Sequence, residues 1–419
     1  MNRLSRHFPK DHARETSSVF AMMTLSIGYS MVDQVMAARI SPDYLFLLNA
    51  LAYVSIGYVL FARLLGQIAV VLLSKDPSAE TMNSAINVYA PLTLVAAVLI
   101  ACRGPFAKML GISHIAGWQT AFEMQIVAGF LIGFSLYLKF ILLAKGYAKA
   151  SLSADIVGNL LNLAANLIAI FAFNSPAARF LGCLAATVVI QCLLIAWYAR
   201  LLYRHAPWGI GQPLAYLLRA RAMLTGEAFY VLLGVVAPFI ITVALGQYLT
   251  ADYVNAFNVG NTLAMMLDRP FMANLMTSTA RMAKANLAPA HLKEVILESR
   301  KLNAVFALAA LPIAAAVPFL VPVVYGMHGT GPILLVMALI VGSFLRAMNG
   351  PWVSLLKARE RHAFLAVLDA TLGQGVTFVL ALAVMMLGWA GRHEEVLPLM
   401  FLVSPVLWTA AIRRAVPAL

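Results

Sequence analysis

Gly28–Ser41 reads Gly-Tyr-Ser-Met-Val-Asp-Gln-Val-Met-Ala-Ala-Arg-Ile-Ser and closes an apolar stretch that begins near Val19. It places Asp33 well inside that run. A carboxylate near the centre of a membrane helix costs about 2.5–3.5 kcal/mol on insertion scales. Ser26 and Ser30 share a helical face with Asp33, because residues three and four apart are neighbours on a helix. This polar face must contact protein or water, so Asp33 is either a functional group or a carboxylate satisfied by neighbouring helices.

The composition is that of a polytopic membrane protein. The chain has 419 residues, of which 62% are hydrophobic and 11% are charged, and its mean hydropathy is +0.85. The charged N-terminal segment lacks a cleavable apolar signal, so we expect the first span to be retained. The net charge is +13, but the basic residues are spread over loops, so we expect no nucleic-acid partner. The cysteines form no Cys-x-x-Cys pair, which favours neither a disulfide framework nor a zinc site.

Apolar runs along the whole chain predict an all-α protein with twelve transmembrane helices. Each run has about the 20 residues that are needed to cross a bilayer, or more. The runs lie near residues 17–40, 44–73, 84–103, 118–146, 152–174, 178–203, 223–247, 253–280, 302–325, 331–356, 363–389 and 395–412. We expect them to form two six-helix lobes around a central cleft. The predicted segments are an N-terminal lobe at 1–204, a cytoplasmic linker at 205–222 and a C-terminal lobe at 223–419.

The distribution of Lys and Arg predicts the orientation. If the N-terminus is inside, the inner segments carry most of the basic residues. The outer segments then carry only Arg39, Arg103, Lys108, Arg179 and Arg392. Basic loops are retained on the cytoplasmic side. We therefore expect a multi-pass protein of the cytoplasmic membrane with both termini in the cytoplasm.

A short repeat indicates that the two halves are related. Residues 41–44 (Ser-Pro-Asp-Tyr) with Asn49 are echoed by residues 250–253 (Thr-Ala-Asp-Tyr) with Asn258. Each copy lies at the predicted outer turn between the first two helices of its half. Because six is an even number, both halves enter the membrane in the same direction, and an axis along the membrane normal would relate them. Parallel repeats around a cleft are typical of alternating-access transporters.

Several stretches resemble the multidrug and toxic compound extrusion (MATE) transporters, which share a superfamily with lipid-linked oligosaccharide flippases. Residues 32–41 resemble the signature of the first helix of that family. Residues 162–166 (Asn-Leu-Ala-Ala-Asn) resemble its Asn-x-x-x-Asn/Asp motif, and residues 182–187 resemble its Gly-x-x-x-Ala-Thr motif. Glu227 and Arg281 stand where the family carries a glutamate and a basic residue. The order and spacing of these motifs cover nearly the whole chain.

The resemblance implies a cation-coupling site in the first lobe, formed by Asp33, Asn162, Asn166 and Thr187. A buried carboxylate can take up H⁺ or Na⁺, and nearby amides and a hydroxyl can stabilise either state. The alternative is that the Asn and Thr side chains only join helices, as polar residues in membranes often do. We expect no cofactor other than the coupling ion.

The second lobe departs from the family pattern. Arg346 stands where the family often has an acidic residue, and the proline usual before Glu227 is missing. Asp268-Arg269-Pro270 is not a pattern of the family. Glu227 and Asp268 are candidates for a second coupling site, whereas Arg346 and Arg269 are candidates for the substrate cleft. Arg346 either faces the cleft or forms a structural ion pair with Asp268 or Glu227.

Other charged residues inside the spans have structural interpretations. Lys139 lies toward the inner end of the fourth span, where its long side chain is expected to reach the membrane surface. Asp155 lies near the start of the fifth span, where the helix dipole favours an acid.

The leading hypothesis is a monomeric, cation-coupled antiporter that exports a small organic compound. The alternative is a flippase for a lipid-linked saccharide or another anionic amphiphile, which the mid-membrane arginines would suit. A membrane-embedded enzyme is disfavoured, because all eight histidines fall in termini or loops and no phosphate-binding loop is present. We therefore expect neither catalytic nor metal-binding residues.

Overall fold

Helices make up nearly all of the chain that the computed structural model describes. It describes residue 16 and residues 32–76, 78–145, 147–204, 209–284, 289–359, 361–387 and 397–415, and contains no strand within them. Some side chains inside these ranges lie outside the description. The predicted all-α class is confirmed.

The described part of the first half is a series of helices joined by short turns. They are α1 (32–40), α2 (Pro42–Lys75), α3 (Ala79–Asn87), α4 (Leu92–Ala101), α5 (Arg103–Leu110), α6 (Trp118–Ala144), α7 (Ala148–Ala172), α8 (Pro176–Tyr203), α9 (Pro213–Arg219) and α10 (Arg221–Tyr248).

The second half continues in the same way but contains one unusual helix. Its elements are α11 (Ala251–Lys284), α12 (Pro289–Tyr325), α13 (Thr330–Ala347), α14 (Gly350–Ala358), α15 (His362–Leu368), a π-helical turn (Asp369–Gly375), α16 (Val376–Leu387) and α17 (Leu397–Ala415). The predicted span 363–389 is therefore a helix interrupted by a wide turn.

Within the described residues, 8 helices are long and apolar enough to cross a membrane. They are Pro42–Gly66, Ala79–Ala101, Trp118–Leu142, Ser153–Ala172, Pro176–Tyr203, Leu292–Tyr325, Thr330–Ala347 and Leu397–Ala415. Each corresponds to a predicted span. The other four predicted spans fall on α1, α10, α11 and the interrupted helix α15–α16, and most of the first one, 17–31, lies outside the described residues.

The chain divides into two compact units. One comprises Val32–Val254, and the other comprises Asn255–Leu419 together with Met1–Met31. In the first unit α10 packs on α2. The lobe and linker boundaries predicted from the sequence stay a prediction.

Close packing of α2 and α6 forms the centre of the first unit. Gly129 and Gly133 lie one turn apart on α6. A Cβ at Gly129 would lie 2.5 Å from the Cβ of Ser55, and a Cβ at Gly133 would lie 2.7 Å from the backbone oxygen of Tyr58. Small residues spaced in this way let membrane helices approach closely. Glycine at these positions therefore sets the separation of α2 and α6.

Candidate cation site and second-unit charge cluster

The position of Asp33 is set by the junction of α1 and α2. Ser41 caps α2, because its Oγ accepts a hydrogen bond from the backbone nitrogen of Asp43 at 3.2 Å, and Pro42 follows at the first helical position. Gln34 Nε2 donates to Asn49 Oδ1 at 3.2 Å and so joins α1 to α2. Asp33 lies seven residues before Ile40, the last residue of α1, so it is about 10 Å from the junction along the helix axis.

The Asp33 carboxylate accepts two amide hydrogen bonds from α7. Asn166 Nδ2 donates to Asp33 Oδ1 at 2.9 Å, and Asn162 Nδ2 donates to the same oxygen at 3.4 Å. Asn162 is 1% exposed and Asn166 is 0% exposed, whereas Asp33 is half-buried. Two residues four apart on one face of α7 thus hold a carboxylate that lies more than a hundred residues earlier in the sequence.

Helix α8 completes the group. Thr187 Oγ1 lies 3.3 Å from both Asn162 Oδ1 and the backbone oxygen of Cys183, and can donate to either. The thiol of Cys183 donates weakly to the backbone oxygen of Asn166 at 3.8 Å. The structure therefore brings together all four residues that the sequence predicts for this site.

The site presents oxygen atoms suited to H⁺ or Na⁺. The buried Oδ1 of Asn166 has no hydrogen-bond partner among the described residues. The described part of the chain also gives Asp33 no basic partner. Carboxylate and amide oxygens are ligands of hard cations, and a carboxylate that is partly shielded from water is costly to keep charged without a counter-ion. A proton or a metal cation bound here would remove that cost.

A second buried carboxylate in the same unit carries its own counter-ion. Lys139 Nζ on α6 lies 2.6 Å from Asp155 Oδ1 on α7, and the two side chains are 14% and 3% exposed. Tyr198 Oη on α8 donates to the same oxygen at 2.8 Å. This pair was not predicted from the sequence. Lys139 is bound inside the protein rather than at the membrane surface, and Asp155 interacts with a neighbouring helix rather than with a helix dipole. The position of Lys139 within an apolar helix was the feature of the sequence that could have indicated a buried acidic partner.

In the second unit, Asp268 on α11 lies beside two arginines. Ser343 Oγ on α13 donates a hydrogen bond to Asp268 Oδ2. The buried Oδ1 of Asp268 has no hydrogen-bond partner among the described residues. Arg269 and Arg346 are both close enough to act electrostatically on the carboxylate. Asp268 and Arg346 therefore belong to one cluster.

Arg346 also binds the π-helical turn. Its Nη2 donates to Ser404 Oγ on α17 at 2.6 Å and to the backbone oxygen of Gly373 at 3.3 Å. Ser404 Oγ in turn donates to the backbone oxygen of Leu372 at 2.7 Å, and Trp408 Nε1 donates to Asp369 Oδ1 at 2.6 Å. The wide turn is thus held by side chains of α13 and α17. Whether Arg346 or Arg269 contacts a substrate stays a prediction.

Helices α11 and α12 share a polar network that the sequence analysis did not single out. Asn274 Nδ2 donates to Asn303 Oδ1 at 2.6 Å and to the backbone oxygen of Ser299 at 2.9 Å. Ser278 Oγ donates to Asn274 Oδ1 at 3.1 Å. All four side chains are buried. The spacing of four between polar residues on each helix was the signal that could have found it.

The remaining predicted site residue is Glu227. It lies on α10, but its side chain is outside the part of the chain that the structure describes. Among the described residues, no group of three or more His, Cys, Asp or Glu side chains could hold a metal ion.

Comparison with solved structures reveals the same fold. An inward-facing multidrug resistance MATE family transporter of the MOP superfamily matches with a TM-score of 0.73 and 16% identity, covering 95% of this chain and 98% of that one. An aspartate-to-asparagine mutant of the Vibrio cholerae MATE transporter VcmN matches with a TM-score of 0.70 and 16% identity, covering 98% and 97%. This chain has the MATE fold. No protein-family model matches it, and a search of the curated proteins finds no relative.

The MATE fold has 12 helices in two lobes, which confirms the predicted architecture of a multi-pass membrane protein. A MOP superfamily transporter from Pyrococcus furiosus also matches, with a TM-score of 0.60 and 14% identity, covering 97% of this chain and 95% of that one. Its reversed binding-pocket polarity is said to suggest a different function. Identities this low establish the fold and leave the transported compound open.

Proposed function

We propose that the protein is a cation-coupled antiporter that exports a small organic compound across the cytoplasmic membrane by alternating access. It would act as a monomer, with both termini in the cytoplasm and no cofactor besides the coupling H⁺ or Na⁺. The proposal is supported by the MATE fold and by one observation above the others. Asp33 is held by Asn162 and Asn166 in a polar site with no basic partner in the described part of the chain.

The mechanism follows from that charge state. With a cation bound, the site is neutral and α1 can pack on α7. When the cation leaves, the carboxylate needs water or a new position for α1, because an unpaired buried charge is costly. Binding energy that differs between two arrangements of α1 is what a coupled transporter requires. Thr187 and Cys183 support this role by fixing the two asparagines.

The test is transport by the purified protein in liposomes. A cationic dye is loaded on one side, and a pH or Na⁺ gradient is imposed separately. We expect one gradient to drive accumulation of the dye against its own gradient, and Asp33→Asn to abolish that accumulation while leaving reconstitution unchanged. Gradient-driven accumulation by Asp33→Asn at the wild-type rate would contradict coupling at this residue.

The flippase alternative depends on the arginines of the second unit. Its support is weaker, because Nη2 of Arg346 is already bound to Ser404 and to a backbone oxygen of the π-helical turn. A lipid-linked diphosphate assayed in the same liposomes would distinguish the two. Movement of that lipid without a response to either cation gradient would favour the flippase.

A further inference from the structure

Three helices of the first unit meet at one carboxylate oxygen. Lys139 of α6 and Tyr198 of α8 both bind Oδ1 of Asp155 on α7, at 2.6 and 2.8 Å. The Lys139 ammonium also lies 6.0 Å from the centre of the Tyr198 ring, which is 0% exposed. The cluster is therefore electrically neutral, and a carboxylate with this built-in counter-ion needs no bound cation.

The same helices carry the candidate cation site. Asp155 and Asn162 are seven residues, or about two turns, apart on α7 and therefore share a face. Thr187 and Tyr198 are eleven residues, or about three turns, apart on α8 and share a face as well. The buried polar face of α7 thus carries Asp155 of the cluster and, about two turns further along the helix, the asparagines that bind Asp33.

Apolar packing alone would fix this arrangement poorly. The opposite face of α7 is exposed and apolar. Its exposed residues include Ile156, Val157, Leu160, Leu161 and Ile168. These side chains make equally good contacts with lipid after a small rotation or slide, because hydrocarbon does not distinguish them. A buried charge pair has a directional optimum, and its best-attested role is to fix the register of helices.

We propose that Lys139, Asp155 and Tyr198 form a positioning cluster for the cation site: the cluster fixes α7 and α8 on α6 so that Asn162, Asn166 and Thr187 face Asp33. This inference rests on the proposed function of Asp33. None of the three residues touches the cation. They determine whether the amides that hold Asp33 are correctly aligned.

The test separates alignment from stability. Replacing the pair by apolar side chains of similar size, as Lys139→Met with Asp155→Leu, avoids an unpaired charge, and such replacements are often tolerated. Thermal unfolding of the purified protein is followed while Na⁺ is added at fixed pH, and separately while pH is varied without Na⁺. The response that Asp33→Asn abolishes gives the half-saturating cation concentration of the site.

We expect the double variant to unfold near the wild-type temperature but to need about 10-fold or more cation for half-saturation, by analogy with residues that orient metal ligands. The charge-swapped variant, Lys139→Asp with Asp155→Lys, should recover part of this loss. A folded double variant with the wild-type half-saturating concentration would overturn the inference.

Two further outcomes are decisive. If the double variant fails to fold, Tyr198→Phe and the charge-swapped variant are measured instead. Tyr198→Phe removes a single hydrogen bond from the cluster. Wild-type cation affinity in both of these variants would refute the positioning role. If the wild-type protein shows no cation response that depends on Asp33, the proposed function itself fails. The positioning role alone is refuted only if the wild-type protein still shows the cation response that depends on Asp33.

Discussion

The substitution Asp33→Asn tests the charge of the candidate site without changing its shape. It replaces one carboxylate oxygen by an NH₂ group and leaves the other oxygen as an acceptor. Asn162 and Asn166, which both donate to Oδ1, can still bind that oxygen. What changes is that the side chain can no longer take up a proton or carry a counter-charge for Na⁺.

The magnitude follows from two opposing terms. A hydrogen bond to a charged group contributes about 1.5–3 kcal/mol, against about 0.5–1.5 kcal/mol for a neutral pair, so the two amide bonds together lose about 2 kcal/mol. Against this, the wild type holds an ion in a half-buried site where the described residues give it no basic partner. Full burial of such an ion costs several kcal/mol, so partial burial should cost about 2 kcal/mol or more, and the variant avoids that cost. Without cation, the variant should therefore be at least as stable as the wild type.

Cation binding reverses the order. A cation at one hundred times its Kd stabilises a folded protein by about 2.7 kcal/mol, and only the wild type binds it. Chains of about 150–250 residues shift by about 2–4 °C per kcal/mol, and longer chains shift less, so the wild-type Tm should rise by several degrees and by no more than about 10 °C. The variant should lack this rise when the same cation is added.

The assay is thermal unfolding in detergent, with Asp43→Asn as the matched control. Asp43 is an exposed carboxylate in the first turn of α2, so its loss should cost about 0.3–1 kcal/mol and leave the cation response intact. A cation-dependent rise in the Tm of Asp33→Asn equal to that of the wild type would show that the cation does not bind at Asp33. A variant that is several kcal/mol less stable than the wild type without cation would contradict the predicted cost of the unpaired charge.

The remaining predictions concern packing, the π-helical turn and topology. Gly133→Ala should lower stability by about 1–3 kcal/mol through overpacking, since its Cβ would lie 2.7 Å from a backbone oxygen of α2. The control Gly104→Ala meets no atom within 4 Å and should be neutral or slightly stabilising. The unfolding temperatures of the two variants are compared, and equal shifts would contradict close packing at Gly133. Ser404→Ala removes the hydroxyl between Arg346 and the π-helical turn and should cost about 1–3 kcal/mol; unchanged stability would show that the turn needs no such support. Cysteines at residues 212 and 328, in a background without the exposed native cysteines, should react with an impermeant thiol reagent from inside and outside respectively, and labelling of residue 212 from outside intact cells would overturn the predicted orientation.

The fold class and the residues that meet at the candidate cation site follow from the sequence alone. Runs of apolar residues at membrane length leave the backbone no alternative to helices, because hydrocarbon offers no hydrogen-bond partners. The cost of a carboxylate in such a run made Asp33 conspicuous without any structure. Spacing on helical faces then grouped Asn162 with Asn166, because that periodicity is a local property of the chain.

The pairing of charges depends on the tertiary structure. One oxygen of Asp155 binds both Lys139 and Tyr198. The three residues lie on three different helices, so no local sequence pattern shows this contact. The binding of Arg346 to the π-helical turn is equally non-local, because Arg346 and Ser404 donate to carbonyl groups of the turn from two other helices. Helical periodicity is a local property of the sequence, whereas the register between helices depends on contacts between distant residues. That register gives Asp155 a basic partner in Lys139 and, among the described residues, gives Asp33 none.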